Sequence, residues 1–388
     1  MNLSIGIVGL PNIGKSTLFN ALLKKTVADA ANYPFCTIEP NVGIVEVPDE
    51  RLPVIAKIVN TEKIVPAVVE FYDIAGLVAG ASQGEGLGNK FLSHIREVAA
   101  IAHVVRLFED DNVMHVANTV DPLRDIGIIE TELILADLAT LEKQKELSVA
   151  AKAKAEKIEL SRWDAVVKFK NHLNAGNPAR TLRLTDDEAE AAHELHLLTM
   201  KPVIYVFNVS EEQLLEKENV EEQIRVILNG VKNPTSNGSF AQAQDDNSPT
   251  SYKLPATSLY LNAKLENEVL ALDEADQTAY LAEYNLEETG LNRLIKKAYE
   301  TLGLISFLTG GELEARAWTI PEGTLAPQAA GTIHTDFEKK FIKADIVPFK
   351  TFIEVGGWVK ARENGKVQIV GRDHIMKDGD VVEFKIGQ

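Results

Sequence analysis

Short apolar runs alternate along the chain with stretches of helical spacing. The strand-like runs lie at residues 3–8, 42–47, 68–73, 102–108, 202–208 and 256–261. Strands that alternate with helices predict an α/β fold, with a mostly parallel sheet covered by helices on both faces. Ligands of such sheets bind at the carboxyl ends of the strands, so we expect the chemistry at that edge.

The strand pattern stops in the middle of the chain. Residues 130–173 are rich in Ala, Leu, Glu and Lys and contain a leucine stripe at helical spacing. A Gly- and Pro-containing break follows at 174–178, and Thr185 with Glu188 then forms the sequence of a capping box. These features predict an α-helical hairpin, which we call the arm, inserted into the sheet domain.

The end of the chain changes character again. Residues 233–255 have the polar composition of a loop, and short strand-like runs with turns begin near residue 305. We therefore predict a sheet domain in two parts, 1–128 and 201–303. The arm is assigned to 129–200 and a small C-terminal domain to 304–388.

Composition narrows the class of protein. The 388 residues are 45% hydrophobic and 25% charged, as in ordinary globular proteins. Cys36 is the only cysteine, which excludes a disulfide framework and a cysteine-rich zinc site. We find no signal peptide and no apolar run long enough for a membrane span, so we expect a cytoplasmic protein with no membrane contact.

Charge is unevenly distributed. The net charge of −17 argues against wholesale coating of nucleic acid. Residues 152–183, however, hold eight basic and three acidic side chains, a local balance of +5. Two explanations remain open for this segment: a solvated helix face, or a surface that contacts RNA phosphates.

The strongest motif follows the first predicted strand. Residues 9–17 fit G-x-x-x-x-G-K-[ST], the phosphate-binding P-loop, and a helical segment comes directly after them. Backbone N–H groups and the helix N-terminus attract phosphate there. Lys15 is expected to reach the β- and γ-phosphates, and Ser16 to bind Mg²⁺. The predicted phosphate-binding residues are Asn12, Ile13, Gly14, Lys15, Ser16 and Thr17.

Two further segments complete the predicted phosphate site. Residues 73–76 read D-x-x-G after an apolar strand. Asp73 is expected to order Mg²⁺ through water, and the N–H of Gly76 to meet the γ-phosphate. Thr37 lies between the two motifs, where a threonine that binds Mg²⁺ only with the γ-phosphate is expected.

The predicted base-reading loop departs from the N-K-x-D of GTPases. It reads Asn208-Val209-Ser210-Glu211, and the longer Glu211 is out of register for a two-point guanine contact. That loss costs about 1–3 kcal/mol of base discrimination, so we favour ATP over GTP, with Asn208 against the purine edge. A second base-contacting loop is predicted at Ala263 and Lys264.

The residue after D-x-x-G is Leu77, which cannot orient water as glutamine does in many GTPases. Hydrolysis is therefore slow, or another group contacts the water. His115 is a candidate catalytic residue for this, with a packed or exposed histidine as the simpler explanation. Asn12 is a candidate for holding a monovalent cation near the β–γ bridge.

The chain resembles the YchF subfamily of Obg-like P-loop ATPases over nearly its whole length. The motifs that carry the resemblance lie at 9–17, 32–41, 73–89, 108–116, 208–211, 329–341 and 378–384. The resemblance implies a GTPase-like domain interrupted by a coiled-coil arm and followed by a ubiquitin-like β-grasp TGS domain. It also implies Mg²⁺-dependent ATP hydrolysis, stimulation by K⁺ at Asn12, His115 in place of the glutamine, and association with the ribosome.

The leading hypothesis is a monomeric ATPase switch. ATP would order the segments around Thr37 and Gly76, and the arm and TGS domain would contact ribosomal RNA or protein. Alternatives are a translation-associated switch that binds GTP, and an RNA-binding adaptor with slow turnover. A phosphotransferase is disfavoured because no arginine-bearing lid sequence is found.

Overall fold

A computed structural model describes residues 4–26, 41–74, 87–109, 119–144, 157–232 and 257–387. Within it the chain forms two compact units. The first comprises Met1–Lys24, Pro40–Gly43 and Phe71–Leu291. The second comprises Lys25–Glu39, Ile44–Glu70 and Asn292–Gln388.

The strands, in chain order, are β1 (Ser4–Val8), β2 (Val42–Glu46), β3 (Ile64–Val65), β4 (Val68–Asp73), β5 (Ala100–Arg106), β6 (Val203–Asn208), β7 (Ser258–Leu261), β8 (Leu304–Gly310), β9 (Ala315–Pro321), β10 (Phe341–Pro348), β11 (Gln368–Val370) and β12 (Asp380–Ile386). The helices are α1 (Lys15–Lys24), α2 (Arg51–Val59), α3 (Leu87–Glu97), α4 (Pro122–Glu142), α5 (Lys157–Asn174), α6 (Asp186–His193), α7 (Glu211–Leu215), α8 (Lys217–Lys232), α9 (Ala263–Val269), α10 (Glu274–Glu283), α11 (Gly290–Thr301), α12 (Ala326–Ile333), α13 (Thr335–Lys339), α14 (Phe349–Val355) and α15 (Trp358–Glu363).

The first sheet has the strand order β2-β4-β1-β5-β6-β7. Its pairs β1–β5, β5–β6 and β6–β7 are parallel, as the alternating sequence pattern predicts. Every residue of β1, β5, β6 and β7 is buried, which explains why their sequences are mostly apolar on both faces. The carboxyl ends of β1, β5 and β6 carry the loops of the candidate site.

Helices form the predicted arm. α4, α5 and α6 pack around a core that includes Leu141, Phe169 and Leu195. The predicted capping box is present, because Thr185 and Glu188 exchange side-chain and backbone hydrogen bonds at the start of α6. The P-loop fold with an inserted helical arm is thereby confirmed, whereas residues 145–156 between α4 and α5 lie outside the described part of the chain.

A mixed sheet organises the second unit, with the strand order β11-β10-β12-β8-β9-β3. Pairs β10–β11, β10–β12 and β8–β9 are antiparallel, and β12–β8 and β3–β9 are parallel. Phe307, Ile320 and Ile346 lie in a core with the alanines of α12. The expected short strands with turns are present, but the helices α12 to α15 between them were not predicted. Within the described ranges, no helix is long and apolar enough to cross a membrane.

Candidate functional site

The P-loop is a tight turn between β1 and α1. Asn12 and Gly14 both have positive φ angles, 62° and 92°. Asparagine tolerates this left-handed conformation, but a side chain on Gly14 would also collide with the amide of Asn208. The loop therefore needs both residues to carry the chain from the strand into the helix.

Asn208, at the end of β6, joins the P-loop to the last predicted base-contacting loop. Its amide nitrogen donates to the carbonyl of Ile13 at 2.9 Å, and its amide oxygen accepts from the N–H of Ala263 at 3.0 Å. The side chain is buried, so these bonds are shielded from water. The structure thus gives Asn208 a clamping role between two loops, while its predicted contact with a purine stays a prediction.

Arg106, at the end of β5, also contacts the P-loop, and sequence reasoning missed it. Its guanidinium donates to the carbonyl of Phe108 at 2.9 Å and to that of Asn12 at 3.5 Å. It is only 1% exposed and lies 4.5 Å from the ring centroid of Phe108. A charged residue within an apolar strand, three positions before an acidic segment, was the available signal.

Lys15 and Asp73 were predicted from separate motifs, and the structure brings them together in an ion pair. Lys15 is nearly buried, whereas Ser16 and Thr17 beside it are exposed. The N–H of Asp73 is held by the carbonyl of Asn41 at 3.1 Å. The end of β4 therefore presents its carboxylate to the P-loop lysine. The predicted roles of Asp73 toward Mg²⁺ and of Lys15 toward the phosphates stay predictions.

These loops border a cavity of about 990 Å³ that is partly open to solvent. It is lined by Leu10, Pro11, Asn12, Gly14, Lys15, Ser16, Thr17, Phe108, Glu109, Asn208, Val209, Ser210, Glu211, Glu212, Asn262, Ala263 and Lys264. The cavity is at the upper end of the range for small-molecule sites. Among the lining residues, Phe108 and Glu109 belong to the 108–116 motif but had no predicted role in the site, and Glu212 lies outside the predicted motifs.

The predicted base end of the cavity carries an ion pair. Glu211 and Lys264 lie 3.3 Å apart, and the hydroxyl of Tyr284 is 3.5 Å from the other carboxylate oxygen of Glu211. The hydrogen bond with Glu211 raises the pKa of Lys264. Val209 is fully buried, and its carbonyl accepts from the amide of Asn262 at 2.9 Å. Glu211 is therefore already engaged by protein groups.

Four predicted residues lie outside the described part of the chain. They are Thr37, Gly76, Leu77 and His115. Their predicted roles stay predictions.

Much of the arm's positive charge is neutralised within the arm and its base. Arg180 is mostly buried and pairs with Glu130. Lys168 pairs with Glu188 at 2.5 Å, and Arg162 pairs with Glu194 at 3.2 Å. The count of basic residues therefore overstated the charge that the described arm offers to RNA.

A P-loop that joins a parallel strand to a helix, beside a D-x-x-G aspartate, defines a P-loop nucleotide-binding protein of the GTPase-like class. Residues 4–129 match the family model MMR_HSR1, described as "50S ribosome-binding GTPase". Residues 304–387 match the model YchF-GTPase_C, described as "Protein of unknown function (DUF933)".

Relatives extend this match over the whole chain. The ribosome-binding ATPases YchF of Bacillus subtilis (strain 168) and Escherichia coli O157:H7 are both 45% identical, with 99% of each chain covered. The solved structure of the Schizosaccharomyces pombe YchF GTPase has a TM-score of 0.80 and 35% identity, covering 99% of this chain and 98% of that one. The chain belongs to the YchF family.

Proposed function

We propose that the protein hydrolyses ATP to ADP and phosphate and acts as a nucleotide-controlled switch on the ribosome. One observation carries the nucleotide part. The 990 Å³ cavity gathers the P-loop and both predicted base loops at the carboxyl ends of parallel strands. A triphosphate would lie against Asn12 to Thr17, with its base toward Val209, Glu211, Ala263 and Lys264.

Selectivity for ATP is supported by the state of Glu211. Guanine recognition needs a carboxylate that accepts from two base N–H groups at once. Glu211 is one methylene longer than the aspartate of N-K-x-D, and Lys264 and Tyr284 contact its two oxygens. Guanine would have to displace these contacts to reach the carboxylate. Adenine has no such pair of N–H donors, so its binding does not depend on a free Glu211 carboxylate.

The residues at the phosphate end suit Mg²⁺. The exposed hydroxyl of Ser16 and the carboxylate of Asp73 are hard oxygen donors, and both flank Lys15. Ser16 and Thr37 would bind the metal directly and Asp73 through water. When bound, the metal neutralises charge on the β- and γ-phosphates. Asn12, exposed on the cavity wall, is the candidate for K⁺.

Hydrolysis in this proposal depends on groups that replace the usual glutamine. Leu77 has no polar atom to orient water, and His115 is the proposed substitute. Thr37 and Gly76 would respond to the γ-phosphate and so couple its presence to the rest of the molecule. A slow rate is expected, because Lys15 and the metal supply charge while water positioning rests on one side chain.

Ribosome association is proposed from the names of the relatives together with local charge. Arg183 belongs to the basic segment, and its side chain is exposed to solvent. The arm and the C-terminal domain are the proposed contact regions for ribosomal RNA or protein. We propose a cytoplasmic monomer.

Calorimetry with ATP and GTP, each in Mg²⁺ and K⁺, tests the nucleotide assignment. We expect tighter binding of ATP, and phosphate release that is lost in Lys15→Ala while the protein stays folded. Tighter binding of GTP would replace the proposal with the GTP-binding switch, in line with the name GTPase that the Schizosaccharomyces pombe relative carries. Unchanged phosphate release in Lys15→Ala would contradict a hydrolase.

Cosedimentation with ribosomes tests the second half separately. We expect binding that differs between the ATP-bound and nucleotide-free protein. Binding that ignores nucleotide, from a protein with intact ATP affinity, would favour the RNA-binding adaptor. Reversal of the charge of Arg183 should weaken the association, with Arg162→Glu as a comparison because Arg162 is already paired with Glu194.

A further inference from the structure

The geometry points to Arg106 as a positioning residue for the phosphates, a role that rests on the proposed nucleotide function. Arg106 and Asn208 are register partners at the ends of β5 and β6. They contact two consecutive carbonyls of the P-loop, those of Asn12 and Ile13. Arg106 and Asn208 are both buried, so bulk water does not compete for these carbonyls.

Anchoring these carbonyls sets the direction of the neighbouring N–H groups. In a trans peptide the C=O and the following N–H point in opposite directions, and the described part of the chain contains no cis bond. With the carbonyls of Asn12 and Ile13 turned toward Arg106 and Asn208, the N–H groups of Ile13 and Gly14 point the other way. Asn12, Gly14 and Lys15 line the cavity, and we assign these two N–H groups to a bound phosphate.

Arginine suits this position because its planar guanidinium can serve two acceptors at once. One nitrogen donates to Phe108 and another to Asn12. Phe108 lines the cavity too, so one side chain connects two of its walls. Charge-assisted bonds of this kind are stronger in a dry surrounding than in water. A lysine would keep the charge but lose the fork.

A purely structural role for Arg106, closing the end of β5, makes a different prediction. It would lower stability and weaken every nucleotide alike. A positioning role is specific to ligands whose phosphates reach the loop. The discriminating quantity is therefore the ratio of AMP to ADP dissociation constants, measured by calorimetry on the full-length protein with its stability determined in urea.

For Arg106→Met we expect ATP and ADP dissociation constants to rise about tenfold or more, from the loss of charge-assisted contacts. The AMP constant should change less than about threefold, so the ratio falls. Arg106→Lys should give an intermediate loss for ATP and ADP, because one ammonium replaces two donors. The control is Tyr205→Phe, three residues before Asn208 on β6 and outside the cavity lining, which should bind all three nucleotides as the wild type does.

Each outcome decides the inference. Wild-type affinity for ATP in Arg106→Met, or an equal loss for AMP, ADP and ATP, overturns the positioning role. If Arg106→Met does not fold, the same ratio measured in Arg106→Lys decides in the same way. A wild-type protein that binds no ATP would instead contradict the proposed function, so the two failures are distinguishable.

Discussion

Strands β5 and β6 carry two polar pairs in register, and the pairs have different surroundings. His103 lies opposite Tyr205, and Arg106 lies opposite Asn208. The first pair meets the base of the arm, where Tyr205 and Arg180 both donate to one carboxylate oxygen of Glu130. The second pair bonds to loop carbonyls that border the cavity. The polar pairs of these two strands thus serve packing at the base of the arm and, in our inference, the positioning of phosphates at the cavity.

The two polar pairs differ in the groups that accept their hydrogen bonds. At the base of the arm they end on side chains within a closed cluster, and burial raises the pKa of Tyr205 while the charge of Glu130 and Arg180 stays paired. At the cavity Arg106 and Asn208 donate to two backbone carbonyls of the P-loop. In our inference this directs the N–H groups of the same two peptides toward a phosphate. Variants at the base of the arm should therefore change the stability of the protein, whereas variants at the cavity should change its affinity for ATP.

Arg180→Met should have the largest effect on stability. It leaves the buried carboxylate of Glu130 without its cation, which costs about 4 kcal/mol in the free energy of unfolding. Urea denaturation measures this cost, and ATP affinity should be unchanged in the folded fraction. Arg180→Met combined with Glu130→Gln should recover much of the loss, because no unpaired charge remains. A loss of ATP affinity in the single variant would show that the base of the arm and the cavity are coupled, which would contradict their separate roles.

Asn208→Ala should reduce both the stability of the protein and its affinity for ATP. It leaves the carbonyl of Ile13 and the N–H of Ala263 without partners in a buried place, which costs about 3 kcal/mol of stability. ATP should also bind about tenfold more weakly, because both loops lose their clamp. Calorimetry and urea denaturation on the same preparation check this, and a stability loss with wild-type affinity would contradict the role of the clamp.

Buried His103, at the base of the arm, should make the free energy of unfolding depend on pH without affecting the cavity. Burial, and secondly the charge of Arg180, lower its pKa to about 3. Since the unfolded chain takes up the proton near pH 6.5, stability is complete above about pH 6.5 and falls as the pH decreases. The loss for one proton is about 1.4 kcal/mol per pH unit, or about 2.7 kcal/mol at about pH 4.5. His103→Phe should remove this slope in urea titrations, and an unchanged slope would show that other groups cause it.

The sequence predicted what local pattern can encode. The strands of the first sheet were found within two residues of their ends, because their buried sequences are mostly apolar. The two-residue strand β3 was missed, since its pairing with β9 is a long-range event with no local signature. The helices of the C-terminal domain were missed because short helices between turns have little periodicity.

The same holds for the candidate site: residues in contiguous motifs could be proposed from the sequence, whereas contacts between distant positions could not. Lys15, Ser16 and Asp73 belong to contiguous motifs with a known spacing. Arg106 lies 94 positions from its P-loop partner Asn12, and Arg180 lies 50 positions from Glu130, so neither contact leaves a pattern along the chain. The arm's charge balance could not reveal that Arg180 is paired inside the fold.

Lys264→Met should have the smallest effect on nucleotide affinity, because it changes an ion pair at the exposed end of the cavity. Lys264 is exposed, and such ion pairs contribute little because water screens them. We therefore expect the affinities for ATP and GTP to change less than about threefold by calorimetry, with Glu268→Gln as the control because it removes only the weaker partner of Lys264. A rise of more than about tenfold in GTP affinity would show that Lys264 withholds Glu211 from guanine. The length of Glu211 would then be insufficient to explain selectivity for ATP, and the ion pair would belong with the functional residues of the cavity.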